Sequence, residues 1–178
     1  GNDAINGNQG NDIVRGGKGD DLVRGGKDND MVYGDLGNDN VFGDNGEDTV
    51  TGGGGNDSVT GGMGSDRFLF DTNAVFSADS MGVDILTDFV AGTDKIVLDQ
   101  TTFTALTNSA IGVLQASNFA VVSTDANAAV SGALIVYNSA TGGLFYNQNG
   151  AAEGFGTGAQ FARLTGNPVV SASDFIVQ

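Results

Sequence analysis

"GNQGNDIVRGGKGDDLVRGGKDNDMVY", residues 7–33, is three nine-residue units set end to end. Four more follow in the same phase, GDLGNDNVF, GDNGEDTVT, GGGGNDSVT and GGMGSDRFL, and a partial copy, GNDAIN, precedes them at residues 1–6. Numbering each unit from its first glycine, position 6 is aspartate throughout: Asp3, Asp12, Asp21, Asp30, Asp39, Asp48, Asp57 and Asp66. Position 8 is always apolar: Ile5, Val14, Val23, Val32, Val41, Val50, Val59 and Phe68. An acidic Gly/Asp linker would be disordered, because it buries too little apolar surface. Such a linker has no reason to keep valine in phase, so the spacing points to a repeating fold.

Each unit divides into a turn and a strand. Glycine is needed where the backbone takes φ > 0 or turns tightly enough to aim carbonyl oxygens inward. The three residues around position 8 then read as a short strand whose central side chain faces the interior. One such residue per unit makes a thin core, set against a backbone ordering cost of about 1 to 2 kcal/mol per residue. A further source of stability is required.

Composition narrows what that source can be. The chain has 178 residues, net charge -15, and no Cys, His or Trp. Thiolate chemistry, imidazole bases, Ser-His-Asp triads and ordinary zinc sites are thereby excluded. A chain this acidic repels nucleic acid and anionic membranes, so no nucleic-acid partner and no membrane insertion is expected. No stretch approaches the roughly 18 apolar residues of a membrane helix. No amino-terminal signal peptide is visible, and the opening GNDAIN is the second part of a unit. The chain is therefore read as the carboxy-terminal part of a longer polypeptide, with a further domain upstream.

The nonapeptide resembles the repeat of the RTX (repeats-in-toxin) family, G-G-x-G-x-D-x-U-x with U a large apolar residue. The resemblance implies an all-β chain: a right-handed parallel β-roll, two units per coil, over residues 1–69, followed by a β-rich cap over 70–178. It also implies calcium bound between units i and i+2. Unit i supplies the carbonyls of positions 2 and 4 and the position 6 carboxylate; unit i+2 supplies the carbonyls of positions 1 and 3 and its own aspartate. Oxygen ligands in that number suit a hard cation.

Carried onto this sequence, one site joins Asn8, Gly10 and Asp12 to Gly25, Lys27 and Asp30. The next joins Gly17, Gly19 and Asp21 to Gly34, Leu36 and Asp39. Then Gly26, Asp28 and Asp30 face Gly43, Asn45 and Asp48, and Asp35, Gly37 and Asp39 face Gly52, Gly54 and Asp57. Asp44, Gly46 and Asp48 face Gly61, Met63 and Asp66. A sixth, incomplete site runs from Gly1 and Asp3 to Gly16, Lys18 and Asp21. In serralysin-like relatives two loop aspartates complete a terminal site; Asp79 and Asp84 occupy comparable places and would face Gly53, Gly55 and Asp57. The resemblance thus implies about six calcium ions, or seven with that terminal site, most aspartates serving two ions each.

Departures from the consensus are tolerable where the ligand is a carbonyl. Asn8, Asp35 and Asp44 at position 2, and Asp28 at position 4, belong to the residue types best able to enter the left-handed region. The Asp28 carboxylate is expected to point to solvent beside Lys27. Arg15, Arg24, Lys18 and Lys27 read as solvated charges, Tyr33 and Phe42 as packing against the following domain, and Asp88, Asp94 and Asp99 as capping and turn residues.

Beyond residue 69, "ALIVYNSATGGLFYN" reads as a hairpin turning at residues 139–143, and "QASNFAVV" and "SASDFIVQ" look like an internal echo. The region from "VDILTDFVAGTDKIVLD" onward resembles the segment after the RTX repeats in serralysin-like proteases and in cyanobacterial exported proteins. The ending "SDFIVQ", with Asp174 before an apolar run, resembles the uncleaved signal of type I secretion substrates. The resemblance therefore implies a secreted, extracellular or cell-surface bacterial module that folds on calcium outside the cell, with the type I secretion apparatus as a partner. It would be non-catalytic itself. The end region of a surface-layer protein or adhesin, and the tail of a secreted protease or lipase, remain open alternatives.

Overall fold

In the computed structural model, which describes residues 1–108, 111–150 and 152–178, the nonapeptide phase becomes strand spacing. Eight strands come from the repeats: β1 (Ala4–Gln9), β2 (Ile13–Lys18), β3 (Leu22–Lys27), β4 (Met31–Leu36), β5 (Asn40–Asn45), β6 (Thr49–Gly54), β7 (Ser58–Met63) and β8 (Arg67–Phe70). Each begins at position 7 of one unit, and the first seven run on to position 3 of the next, so the strands are longer than the three residues the repeat suggests. The left-handed turn residues fall where expected. Asn8, Asp35 and Asp44 have φ of 79, 76 and 79°, and Asp28 has 76°.

Successive strands alternate between two sheets, with two units per coil. Odd strands pair with odd strands in parallel, for example Val23 with Val41 and Val41 with Val59. Even strands do likewise, Val14 with Val32 and Val32 with Val50. The position 8 side chains from both sheets meet in the middle, where Val23, Val32, Val41 and Val50 are fully buried. A one-residue slip would send all of them to solvent, which is why the register holds.

The same two sheets continue past the repeats. β9 (Asp84–Leu86), β10 (Lys95–Leu98), β11 (Gly112–Val113), β12 (Phe119–Val122), β13 (Ile135–Asn138), β14 (Gly143–Tyr146), β15 (Gln160–Leu164) and β16 (Phe175–Val177) complete them. One sheet runs β1-β3-β5-β7-β9-β15-β14-β13-β12, the other β11-β16-β10-β8-β6-β4-β2. The valine core widens there into an aromatic one, with Phe103 packed 5.1 Å from Tyr146 and 5.2 Å from Phe161 between ring centroids. The hairpin forms as read, Tyr137 opposite Leu144 across the turn. Both halves of the internal echo adopt one structure, a 3-10 turn leading into a strand, and their rings Phe119 and Phe175 lie 5.2 Å apart.

Candidate metal sites

The turns stack along two edges of the roll, and their aspartates form two ladders. Each position 6 backbone N–H donates to Oδ1 of the aspartate two units on. Asp3 donates to Asp21 at 2.7 Å, Asp12 to Asp30 at 2.8 Å and Asp21 to Asp39 at 2.8 Å. Asp30 donates to Asp48 at 2.8 Å, Asp39 to Asp57 at 2.7 Å and Asp48 to Asp66 at 3.0 Å. One carboxylate oxygen is thus fixed by the backbone.

The other oxygen has nothing. Oδ2 of Asp12, Asp21, Asp30, Asp39, Asp48 and Asp57 is buried and meets no hydrogen-bond donor. Native proteins rarely leave buried polar atoms so, because each costs about 1 to 3 kcal/mol and more when charged. No basic side chain compensates them: the ion pairs among the described residues are Gly1–Asp3, Arg15–Asp35 and Arg24–Asp44.

The orphaned oxygens converge with carbonyls on a space that position 1 glycine keeps free. A Cβ on Gly7 would lie 2.6 Å from the Gly25 carbonyl oxygen and 2.8 Å from Asp12 Oδ2. One on Gly16 would lie 2.6 Å from the Gly34 oxygen and 2.7 Å from Asp21 Oδ2, and one on Gly25 2.8 Å from the Gly43 oxygen and 2.5 Å from Asp30 Oδ2. The pattern recurs at Gly34, with Asp39 and Gly52, and at Gly43, with Asp48 and Gly61. From the other direction the carbonyls of Asn8, Gly19, Asp28, Asp35 and Asp44 reach the turn two units on, at Gly26, Gly37, Gly46, Gly53 and Gly62 respectively.

The remaining expected ligands occupy matching places. Gly19 N–H donates to the Leu36 carbonyl at 2.9 Å, Gly37 to Gly54 at 3.0 Å and Gly46 to Met63 at 2.9 Å, so these position 3 carbonyls keep one lone pair each. Lys18 O accepts from the Gly1 ammonium at 2.6 Å. Gly17, Gly26, Lys27 and Asn45 lie at the same register positions in β2, β3 and β5, and Gly10 in the first turn. Asp3 is exposed, Asp79 is exposed in a short helix (Ala78–Met81), and Asp84 is buried.

Several individual side chains depart from expectation. The Asp28 carboxylate does not simply face solvent: Oδ2 accepts from Gly10 N–H at 3.1 Å, because the turn stacked beside it lies within its reach. Tyr33 and Phe42 meet neighbours within the roll itself. Each stacks under the arginine beside it in the sheet, Arg15 3.9 Å and Arg24 4.8 Å from the ring centroids. The same arginines are not merely solvated, since they bond the position 2 carboxylates, Arg15 to Asp35 at 2.5 Å and Arg24 Nε to Asp44 at 2.9 Å. Asp88 caps Gly61 and Gly62 N–H at 2.9 and 2.8 Å, and Asp99 closes its own turn onto Thr101.

A second ladder went unread in the sequence. Position 5 side chains accept from the position 5 N–H two units on: Asn11 from Asn29 at 3.1 Å, Asp20 from Asn38 at 2.9 Å and Asn29 from Glu47 at 2.9 Å. The recurrence of Asn, Asp or Glu at that position was the available signal.

Burial and like charge make these turns favourable to a cation. Burial pushes the Asp30, Asp39 and Asp48 carboxyls up, against the lowering effect of the N–H each accepts, and neighbouring carboxylates add to the rise. Burial likewise raises Asp57 and Asp66 to about 6. Among the described residues no three His, Cys, Asp or Glu side chains gather as a metal cluster. Any ion must then take main-chain carbonyls beside the aspartates, a hard-oxygen set that fits Ca²⁺ rather than a transition metal.

The family model of the RTX calcium-binding nonapeptide repeat matches residues 1–32 and again residues 33–68. Residues 1–68 are RTX calcium-binding repeats folded as a β-roll. The solution structure of the AlgE6R3 subunit from the Azotobacter vinelandii mannuronan C5-epimerase is similar to this chain, at 22% identity and a TM-score of 0.52. The likeness covers 94% of this chain and 80% of that one, and it concerns the fold. No curated protein matches.

Proposed function

We propose that this chain is a calcium-triggered folding module of an exported bacterial protein. The observation that carries the reading is the row of buried Oδ2 atoms without donors, those of Asp12, Asp21, Asp30, Asp39 and Asp48 each beside a carbonyl of the unit two further on. Five sites between consensus units would hold calcium through Asp12 and Asp30, Asp21 and Asp39, Asp30 and Asp48, Asp39 and Asp57, and Asp48 and Asp66, together with the main-chain carbonyls of the facing turns. Asp3 is exposed, so a site with Gly16, Lys18 and Asp21 would be weaker. Calcium supplies the positive charge that lets these carboxylates be buried together, and its binding free energy becomes folding free energy.

Low cytosolic calcium would leave the roll unfolded for export, and extracellular calcium exceeds the ~10⁻⁴ to 10⁻³ M affinities of extracellular modules. The carboxy terminus fits a signal read only before folding. In the folded chain β16 lies inside a sheet between β10 and β11, with Phe175 and Val177 fully buried. Asp174 is occupied too, accepting from Gly92 N–H at 2.8 Å and Ser171 N–H at 2.8 Å. The activity of the whole protein would lie in a domain upstream, this part being non-catalytic.

Circular dichroism during a calcium titration, with EGTA and magnesium controls, tests the reading. A calcium-specific gain of β signal is expected; a spectrum indifferent to calcium removes the proposal.

A further inference from the structure

Asparagine followed by glycine is chemically labile, because no side chain on the second residue hinders its main-chain nitrogen from reaching the asparagine amide. The chain holds three such pairs, Asn6–Gly7, Asn45–Gly46 and Asn149–Gly150. The position 5 asparagines of the repeats, Asn2, Asn11, Asn29, Asn38 and Asn56, are each followed by aspartate instead. Asn45 is the one asparagine at position 3, where the calcium reading needs a main-chain carbonyl.

Asn45 and Asn149 are both exposed, so water reaches them alike. Their main chains differ. Asn45 ends β5 and is paired with Lys27 of β3 on one side and Met63 of β7 on the other. Gly46 N–H donates to the Met63 carbonyl at 2.9 Å, and Gly46 sits so close to the Asp28 carbonyl that a Cβ would strike it. The Gly46 nitrogen therefore cannot turn toward Asn45 Cγ without breaking the rung.

Asn149 lies in the loop after β14, under no such restraint. Gly150 N–H reaches the Asn147 carbonyl only at 3.5 Å, the outer limit of a hydrogen bond, and Asn149 Nδ2 donates to the Glu153 carbonyl at 3.2 Å.

We propose that Asn45 is a deamidation site that the folded roll closes and the calcium-free chain opens, whereas Asn149 reacts in either state. The Gly46 nitrogen, losing its proton, bonds to Asn45 Cγ; the Cγ–Nδ2 bond breaks and ammonia leaves. Water then opens the cyclic imide at one carbonyl or the other, giving aspartate or isoaspartate. The isoaspartate product routes the main chain through the former side chain and adds one carbon to it, so the residue 45 carbonyl no longer meets the turn that holds Asp30 and Asp48. A chain left too long without calcium thus loses that ion site irreversibly. This proposal rests on the calcium reading of the roll and adds a time limit to it.

The test is peptide mapping by mass spectrometry, resolving isoaspartate from aspartate, on the full chain aged at neutral pH in calcium, in EGTA and in urea. In urea all three pairs should react, which sets their intrinsic rates. In calcium Asn149 should react, and Asn45 should be slower than in urea by ~10-fold or more, because its reaction waits on local opening. In EGTA Asn45 should approach its urea rate. Chain aged in EGTA and returned to calcium should lose one ion by isothermal titration in proportion to its isoaspartate at residue 45. Asn45→Gln keeps the main-chain carbonyl and cyclises far more slowly, so the same ageing should leave its count unchanged. Equal Asn45 rates in calcium and EGTA overturn the proposal, as does a full ion count in chain carrying isoaspartate there. Silence at Asn149 in calcium overturns it too, since the Gly46 hydrogen bond would then not be what protects Asn45. A fresh chain that takes up no calcium overturns the roll reading itself.

Discussion

Asp30 donates its backbone N–H to Asp48 Oδ1 at 2.8 Å, while Oδ2 of both residues stays buried without a donor. One oxygen holds the turn and the other is left for an ion. Two roles on one side chain can be separated by substitution.

Asp30→Asn retains an acceptor for the Asp12 N–H, whereas Asp30→Ala removes it. Both should lose calcium, and Asp30→Ala should lose a further ~1 to 3 kcal/mol for the unpaired N–H. Calcium titration followed by chemical denaturation reads the two effects; equal stability of the two variants would contradict the division of roles.

Gly25→Ala leaves every ligand in place. Its Cβ would lie 2.5 Å from Asp30 Oδ2 and 2.8 Å from the Gly43 carbonyl, in the space assigned to the ion. One ion should be lost by titration. Wild-type stoichiometry would show that the space is not an ion site.

Asp28→Gly relieves a left-handed aspartate and gives up its bond to Gly10 N–H. Calcium binding should be kept or tightened, because the site uses the residue 28 carbonyl. Weaker binding by titration would make the side chain itself a ligand.

Protons should compete with calcium. Carboxyls raised to about 6 at Asp57 and Asp66, mainly by burial, make the metal-free folded state bind more protons than the unfolded one. Stability without calcium therefore falls as pH rises from near 4 through about 6, the sign set by linkage. Thermal melts in EGTA should show a higher midpoint at acid pH, and the calcium midpoint should move to lower concentration toward neutral pH. A pH-independent midpoint would count against burial of these carboxyls.

Arg24→Ala removes a guanidinium that bonds Asp44 and covers Phe42. The loss should be about 1 kcal/mol of calcium-bound stability, with the ion count unchanged, as for an exposed pair with a cation–π contact. Denaturation in saturating calcium measures it.

The sequence by itself determined the roll. Asp at position 6 and valine at position 8 recur because a coil that repeats every two units must place the same residue type at the same point of each rung, and that constraint is local. The tertiary structure alone decided what lies between rungs. Asp28 reaches Gly10, Arg24 covers Phe42, and Asp84 resumes the ladder of Asp57 across 27 residues of chain. Side-chain direction and the meeting of distant turns depend on stacking, which the one-dimensional period does not record. The same holds for the carboxy terminus: its acidic and apolar letters are readable, but only the folded sheet shows Asp174 buried on the Gly92 N–H and Phe175 paired with Ile96 of β10.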